Sequence, residues 1–383
     1  MKWIAEHKTG IWAFAVAVAF IPGIMSAAFL PRWALIIIGA PLVSRLTLER
    51  LSQAMQYVLV LGVAWAACGV LFSPDRMAGA LQLFFILAMV GAFVAASEMD
   101  TLEDAMTGLA LGVGVSSVIS LFYLAGIKMV DQATVYPAGL FYNSEVFAEF
   151  AAPIFLWTVL RKRWPLVVLT ALPMVACGSR VAAFAVAAGA LYAFRPKSKA
   201  LTAALVGSLV LAGSVAVVMF KLGNSGTRVV IWIATLWAAT PLGNGLGWFE
   251  AAHPVEQFAH SDMIQAINEL GIGAIFLAAI PVLILRSNRG SNAERAVFIA
   301  ICVEAAVSFP LHVPGAAFVA AIVAGYLAGS RAHVFLRRSD RRARNAQDGQ
   351  WQSAIAGTVN SGGGLGRSAL SVRSAPAAHA ALG

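Results

Sequence analysis

Apolar runs long enough to cross a bilayer follow one another through this chain, mostly joined by segments of only a few residues. Lipid offers the backbone no hydrogen-bond partner, so such runs can fold only as helices or as a closed barrel. A barrel strand needs about 9–11 residues that alternate polar with apolar, whereas these runs are continuous and mostly about twice that length. The chain therefore reads as an all-α polytopic membrane protein with about 12 transmembrane helices. Their expected positions are roughly 11–30, 33–47, 54–73, 77–97, 104–127, 139–160, 164–178, 180–196, 200–220, 262–285, 294–311 and 314–330. Composition agrees. Of 383 residues 60% are hydrophobic and 12% charged, about half the charged share of a soluble domain.

Charge placement gives the orientation. With the N-terminus in the cytoplasm, Lys2 and Lys8, Arg45 and Arg50, Arg161 to Arg163, Arg195 to Lys199, and Arg286, Arg289 and Arg295 all fall on the inner side. The tail adds eight arginines, so 21 of the 27 basic residues are cytoplasmic. The outer side receives Arg32, Arg76, Lys128, Arg180, Lys221 and Arg228; the joint from Ser97 to Asp104 is acidic and adds to neither count. This is the pattern of a multi-pass protein of a bacterial inner membrane with both termini cytoplasmic. It also accounts for the net charge of +9 without a nucleic-acid partner, because the cations lie in joints and tail rather than in one basic stripe. The first run exceeds a signal-peptide core in length and reads as an uncleaved helix. Cys68, Cys177 and Cys302 sit in or beside apolar runs without a CxxC or zinc spacing, as small hydrophobes do.

The domain reading is a membrane domain over 1–330 and a tail over 331–383. The tail is basic from Arg331 to Arg344, which suits anionic headgroups, and then rich in Ser, Gly and Ala, which reads as disordered. One joint is long: residues 221–261, between the ninth and tenth helices, on the outer (periplasmic) side. Long joints between packed spans are usually functional. This one holds Arg228, an amphipathic segment over Val229 to Ala239, the turn Pro241-Leu-Gly-Asn-Gly-Leu-Gly247, His253, and His260-Ser261 at the start of the next helix.

Arg180 and Arg228 each follow a small, flexible Gly-Ser or Gly-Thr pair and precede an apolar helix. A guanidinium beside helix N–H groups suits phosphate or diphosphate. Arg32 and Arg76, beside prolines, read as snorkelling helix-end anchors. His260, with Asp262 nearby, carries the imidazole side chain most often suited to general-base work; His253 reads as structural. Glu145 and Glu149, four apart on one helix face and preceded by Tyr142-Asn143, and Glu304 lie inside spans. Carboxylates there line a groove or serve a proton path.

These residues resemble the O-antigen ligase and O-antigen polymerase family of polytopic bacterial glycosyltransferases. Arg228 to Trp237, Pro241 to Gly247, His260-Ser261 and Gly271 are similar to its outer-loop signature, and Gly139-Leu-Phe-Tyr-Asn143 and Gly178-Ser-Arg180 to two further landmarks. The likeness spans roughly residues 80–330. It implies transfer of a glycan from an undecaprenyl-diphosphate carrier, at the periplasmic face, to lipid A–core (ligase) or to a second carrier-linked glycan (polymerase). No metal or other cofactor is implied, and a single displacement would invert the anomeric centre. Arg180 and Arg228 would hold the diphosphate and His260 would activate the acceptor hydroxyl. Asp262 or Glu256 would orient the His260 ring, and Asn143 would line the groove. A lipid-linked glycan flippase or transporter is the competing class. The internal carboxylates favour it; the one-sided loop and the absence of paired broken helices in matching halves oppose it.

Overall fold

A computed structural model describes residues 6–21, 29–130, 136–141, 143–195, 224–253 and 259–330, with only the backbone of 224–227. The ninth expected span, Glu256 and the tail lie outside the described residues. Fourteen helices occur among those described: α1 (Lys8–Val18), α2 (Leu30–Val43), α3 (Gln53–Leu71), α4 (Arg76–Ser97), α5 (Glu103–Leu124), α6 (Ser144–Leu160), α7 (Trp164–Ala176), α8 (Arg180–Ala193), α9 (Asn224–Trp237), α10 (Trp248–Ala252), α11 (Asp262–Leu270), α12 (Ala274–Arg286), α13 (Asn292–Val307) and α14 (Pro314–Ala328). No strand occurs among them; Leu51 and Gly329 make one isolated bridge.

Four helical stretches are long and apolar enough to cross a membrane: α3, α4, α5 and the interrupted Asp262–Arg286. Their outer faces expose Leu61, Leu71, Phe84, Leu111, Leu121 and Ile275, among others. Apolar surface on this scale is mismatched to water and matched to lipid. Two expected spans differ in form. The run 11–30 is not one helix: α1 ends at Val18, where Ala19 turns extended, and α2 starts at Leu30. The run 262–285 is broken at Gly271 (φ 56°) into α11, a 3₁₀ turn and α12.

The hub is α14. It is buried along nearly its whole length and packs on α4, α2, α6, α12 and α13. Its alanines and glycines let backbones approach, as small residues do between membrane helices. A Cβ on Gly325 would stand 2.1 Å from the Phe93 carbonyl oxygen of α4.

Polar contacts gather at two ends of the bundle. At one, Arg50 donates to the Glu98 carbonyl (3.0 Å), and Arg289 to the carbonyls of Ser97 (2.8 Å) and Met99 while lying over the Tyr326 ring. Arg161 pairs with Glu294 there and Arg163 with Glu103. Partial burial would raise the Glu98 carboxyl, but donors from Thr47, Arg45 and Ser44 outweigh it and hold the group below the usual carboxylate range. At the other end, Arg32 departs from the expected snorkelling anchor. It is 1% exposed, and its guanidinium donates to the carbonyls of Val16 (3.1 Å), Ala17 (3.2 Å) and Leu140 (3.2 Å) and lies 3.8 Å over Phe141. The reason is the early stop of α1. Its last carbonyls need donors, and a cation at a helix C-terminus also suits the dipole.

Candidate functional site

The turn between α9 and α10 works through its backbone. Gly243, Gly245 and Gly247 have φ of 85°, 94° and 75°, the left-handed region that glycine enters without strain. This aims loop amides at the C-terminal carbonyls of α11, which lack helical partners. Asn244 N–H donates to Asn268 O (2.9 Å) and Gly245 N–H to Glu269 O (3.1 Å), while the Trp65 indole N–H of α3 takes Leu270 O (2.8 Å). The Asn268 side chain donates to Thr235 O and the Asn244 side chain to Ala238 O, both at 2.8 Å, which ties in the end of α9. Leu246 N–H reaches Gly69 O of α3 (3.2 Å) and Gly247 N–H reaches Gln82 Oε1 of α4 (3.1 Å). The helix bearing Arg228, the glycine turn and the helix after His260 thus form one hydrogen-bonded unit.

At the other end of α11, Ser261 caps the helix by accepting from Ile264 N–H (3.3 Å) and donates to Ala306 O (2.8 Å). His260 stands just before this cap at φ 55°, a region histidine enters more readily than most residues, with its ring edge-on to Phe309. Asp262 is buried. Its N–H donates to Ser308 O (2.9 Å), one carboxylate oxygen lies 2.6 Å from His312 Nδ1, and the other accepts from Leu311 N–H (2.9 Å). What Asp262 orients in the structure is therefore His312. Burial alone would lower the His312 imidazole, but the hydrogen bond to Asp262 and the charges of Asp262, Glu269 and Glu250 outweigh it and raise it above its ordinary value.

Of the internal carboxylates, Glu149 is buried and accepts from Ser308 Oγ (2.8 Å), and Glu304 is buried in the neighbouring helix. Glu145, one turn before Glu149, is instead 55% exposed and pairs with Arg228 (3.1 Å). Asn143, expected to line a groove, is the cap of α6, its Oδ1 accepting from Glu145 N–H (2.8 Å). Arg228, Glu145 and Asn143 are thus linked in sequence, and Asp262 joins His312 beside Ser308. Arg180 is the exposed first residue of α8, after the Ser179 cap. His253 stacks on Phe249, in keeping with a structural role.

Between α3, α4, α12, α13 and α14 lies a cavity of about 320 Å³. Its walls are apolar, with Leu59, Phe85, Met89, Phe276, Ile280 and Ala321 among them. Its polar residues, Gln82, Asp262, Gln265, Glu269 and His312, come from α11, the start of α4 and the joint before α14, so they mark one end.

No protein-family model matches the chain, and no curated protein matches it at a significant level.

His312 and Gln82 are the functional candidates that sequence reading missed. A histidine between two prolines, in Pro310-Leu-His-Val-Pro314, was the available signal for the first; a lone glutamine in an apolar helix was the signal for the second. Among the described residues no group of three or more His, Cys, Asp or Glu is arranged to hold a metal ion. Chemically, this unit and its neighbours offer a cation held by one exposed carboxylate, and one imidazole, His312, beside a buried acid.

Proposed function

We propose that this chain is an O-antigen ligase-like glycosyltransferase of the bacterial inner membrane, moving a glycan from undecaprenyl diphosphate to lipid A–core at the periplasmic face. The observation that carries the reading is the union of the three signature segments. The Arg228 helix, the glycine turn and the helix opened by His260-Ser261 are hydrogen-bonded together. A crossing pattern of about 12 helices with the 221–261 loop outside is supported by the joints that touch. Arg50, Arg163 and Arg289, assigned inward by charge, all meet the joint from Ser97 to Asp104, and Arg228, assigned outward, meets Glu145 near the outer end of the sixth expected span.

In this mechanism the carrier diphosphate displaces Glu145 from Arg228. A half-exposed ion pair is worth at most about 1 kcal/mol, so a diphosphate with several charged oxygens wins the guanidinium. Arg180 supplies a second cation. His260 removes the proton of the acceptor hydroxyl as that oxygen attacks the anomeric carbon and the bond to the diphosphate breaks, with inversion. Protein cations then carry the leaving-group charge without metal.

The test is the surface glycan of a deletion strain beside one carrying His260→Ala. Long chains accumulating on the carrier and absent from the core support ligation. Single repeat units on the core point to the polymerase branch, and an unchanged surface glycan overturns the transferase reading. With purified protein, His260→Ala lowers transfer by about 10²–10⁴, the usual worth of a general base. A second reading, transport, draws on the buried Glu149–Ser308 contact and Glu304. It requires a proton or ion gradient, whereas transfer runs in detergent without one.

A further inference from the structure

Gln82 points to a ligand. It is 7% exposed and lines the cavity. Its Oε1 is taken by Gly247 N–H, and its Nε2 has no hydrogen-bond partner among the described residues. A buried donor left unsatisfied is costly, so an acceptor brought to it gains that bond at little loss elsewhere. On the same polar end stand the carboxylates of Asp262 and Glu269. Glu269 Oε1 already accepts from Phe249 N–H (3.3 Å) and Gln265 Nε2 (3.1 Å), but a carboxylate offers about four acceptor sites.

We propose that the cavity is a binding site for a long-chain alcohol, its hydrocarbon chain lying between α3, α4, α12, α13 and α14 and its hydroxyl seated between Gln82, Glu269 and Asp262. A hydroxyl accepts from Gln82 Nε2 and donates to a carboxylate, so it answers both needs at once. A carboxylate or fully ionised phosphate head answers only the first: it accepts from Gln82 but has no proton to offer the acids and faces two carboxylates, while among the described residues no lysine or arginine lines the cavity and the imidazole of His312 is already held by Asp262. Size agrees. About 320 Å³ is at the small end of the 300–1,000 Å³ of ligand sites, enough for one chain and too small for a carrier with its glycan. The inference goes beyond the transferase reading and does not rest on it. Under that reading the diphosphate belongs at Arg228, outside this cavity.

The experiment uses full-length protein in lipid nanodiscs with a photoreactive (diazirine) 1-hexadecanol, and labelled peptides mapped by mass spectrometry. Label is expected to be saturable and confined to segments around 58–66, 82–93, 276–281, 298–305 and 317–324. Excess 1-hexadecanol should displace it at concentrations at least tenfold below those of hexadecyl phosphate. Gln82→Leu, which keeps the shape and removes the donor, should weaken 1-hexadecanol competition about tenfold. Ala321→Phe should abolish specific label by filling the space; Met89→Trp fills it from α4 if Ala321→Phe fails to fold. Label spread evenly over the lipid-facing helices, hexadecyl phosphate competing as well as the alcohol, or unchanged competition in a folded Gln82→Leu protein would each overturn the proposal.

Discussion

The two ends of the helix bundle use similar polar residues for opposite purposes. At the end holding Arg50, Arg161, Arg163 and Arg289, each cation is joined to a carboxylate or to backbone carbonyls of a neighbouring joint. At the end holding Arg228, His260 and His312, one cation rests on an exposed carboxylate, and buried acids and amides face a cavity. Charge at the first end is consumed in holding helices together. At the second, Arg32 is likewise spent on backbone carbonyls, but Arg228 is left where a ligand can reach it, and that difference points to the end proposed as functional.

The largest expected effect lies at the first end. Arg289→Met takes its donor from two backbone carbonyls, at about 1–3 kcal/mol each, so the melting temperature in detergent should fall sharply, with activity following the fold. Next is Gly271→Ala, at φ 56° with a Cβ 2.3 Å from Pro241 O. It should cost more than the roughly 1–3 kcal/mol of the backbone strain alone, because the Cβ also meets backbone atoms of the turn, and loosen the glycine turn, seen as faster hydrogen exchange at Asn244 and Gly245. Arg228→Ala reverses the pattern. Transfer should drop at least tenfold, about 1.4 kcal/mol, while the melting temperature holds, because a half-exposed pair adds little stability. A melting loss without a rate loss would erase the contrast between the ends.

The smallest effects have opposite pH signs. The His312 imidazole is raised in the fold, so its contribution is full below the ordinary value of about 6.5 and fades as pH rises through the raised one. The stability gap between wild type and His312→Gln should therefore shrink from pH 6 to pH 9. The Glu98 carboxyl is lowered, so its contribution is present above the ordinary carboxylate range and lost as pH falls through the lowered value. The gap between wild type and Glu98→Gln should close toward acid. Melting curves across pH check both.

Sequence reading reached what local pattern determines. The amphipathic segment over Val229 to Ala239 falls largely within α9, and Ser261 caps the helix that was expected to open there. It could not see what depends on neighbours distant in the chain. Glu145 and Glu149 share a helix face by spacing, yet one meets Arg228 near the surface and the other is sealed against Ser308 of α13's end. Arg32 looked like any helix-end arginine until the early stop of α1 gave it carbonyls to bind. His312 gained its significance only from Asp262, fifty residues away.

One consequence of the glycine turn reaches beyond this chain. It grips α11 mainly through main-chain amides, so selection there acts on a rhythm of left-handed positions rather than on side chains such as the exposed Leu242. Sequences built on this turn can vary at exposed positions such as Leu242 and still bring the same two helices together. Kinship of that sort is written in spacing, where residue-by-residue comparison weighs least.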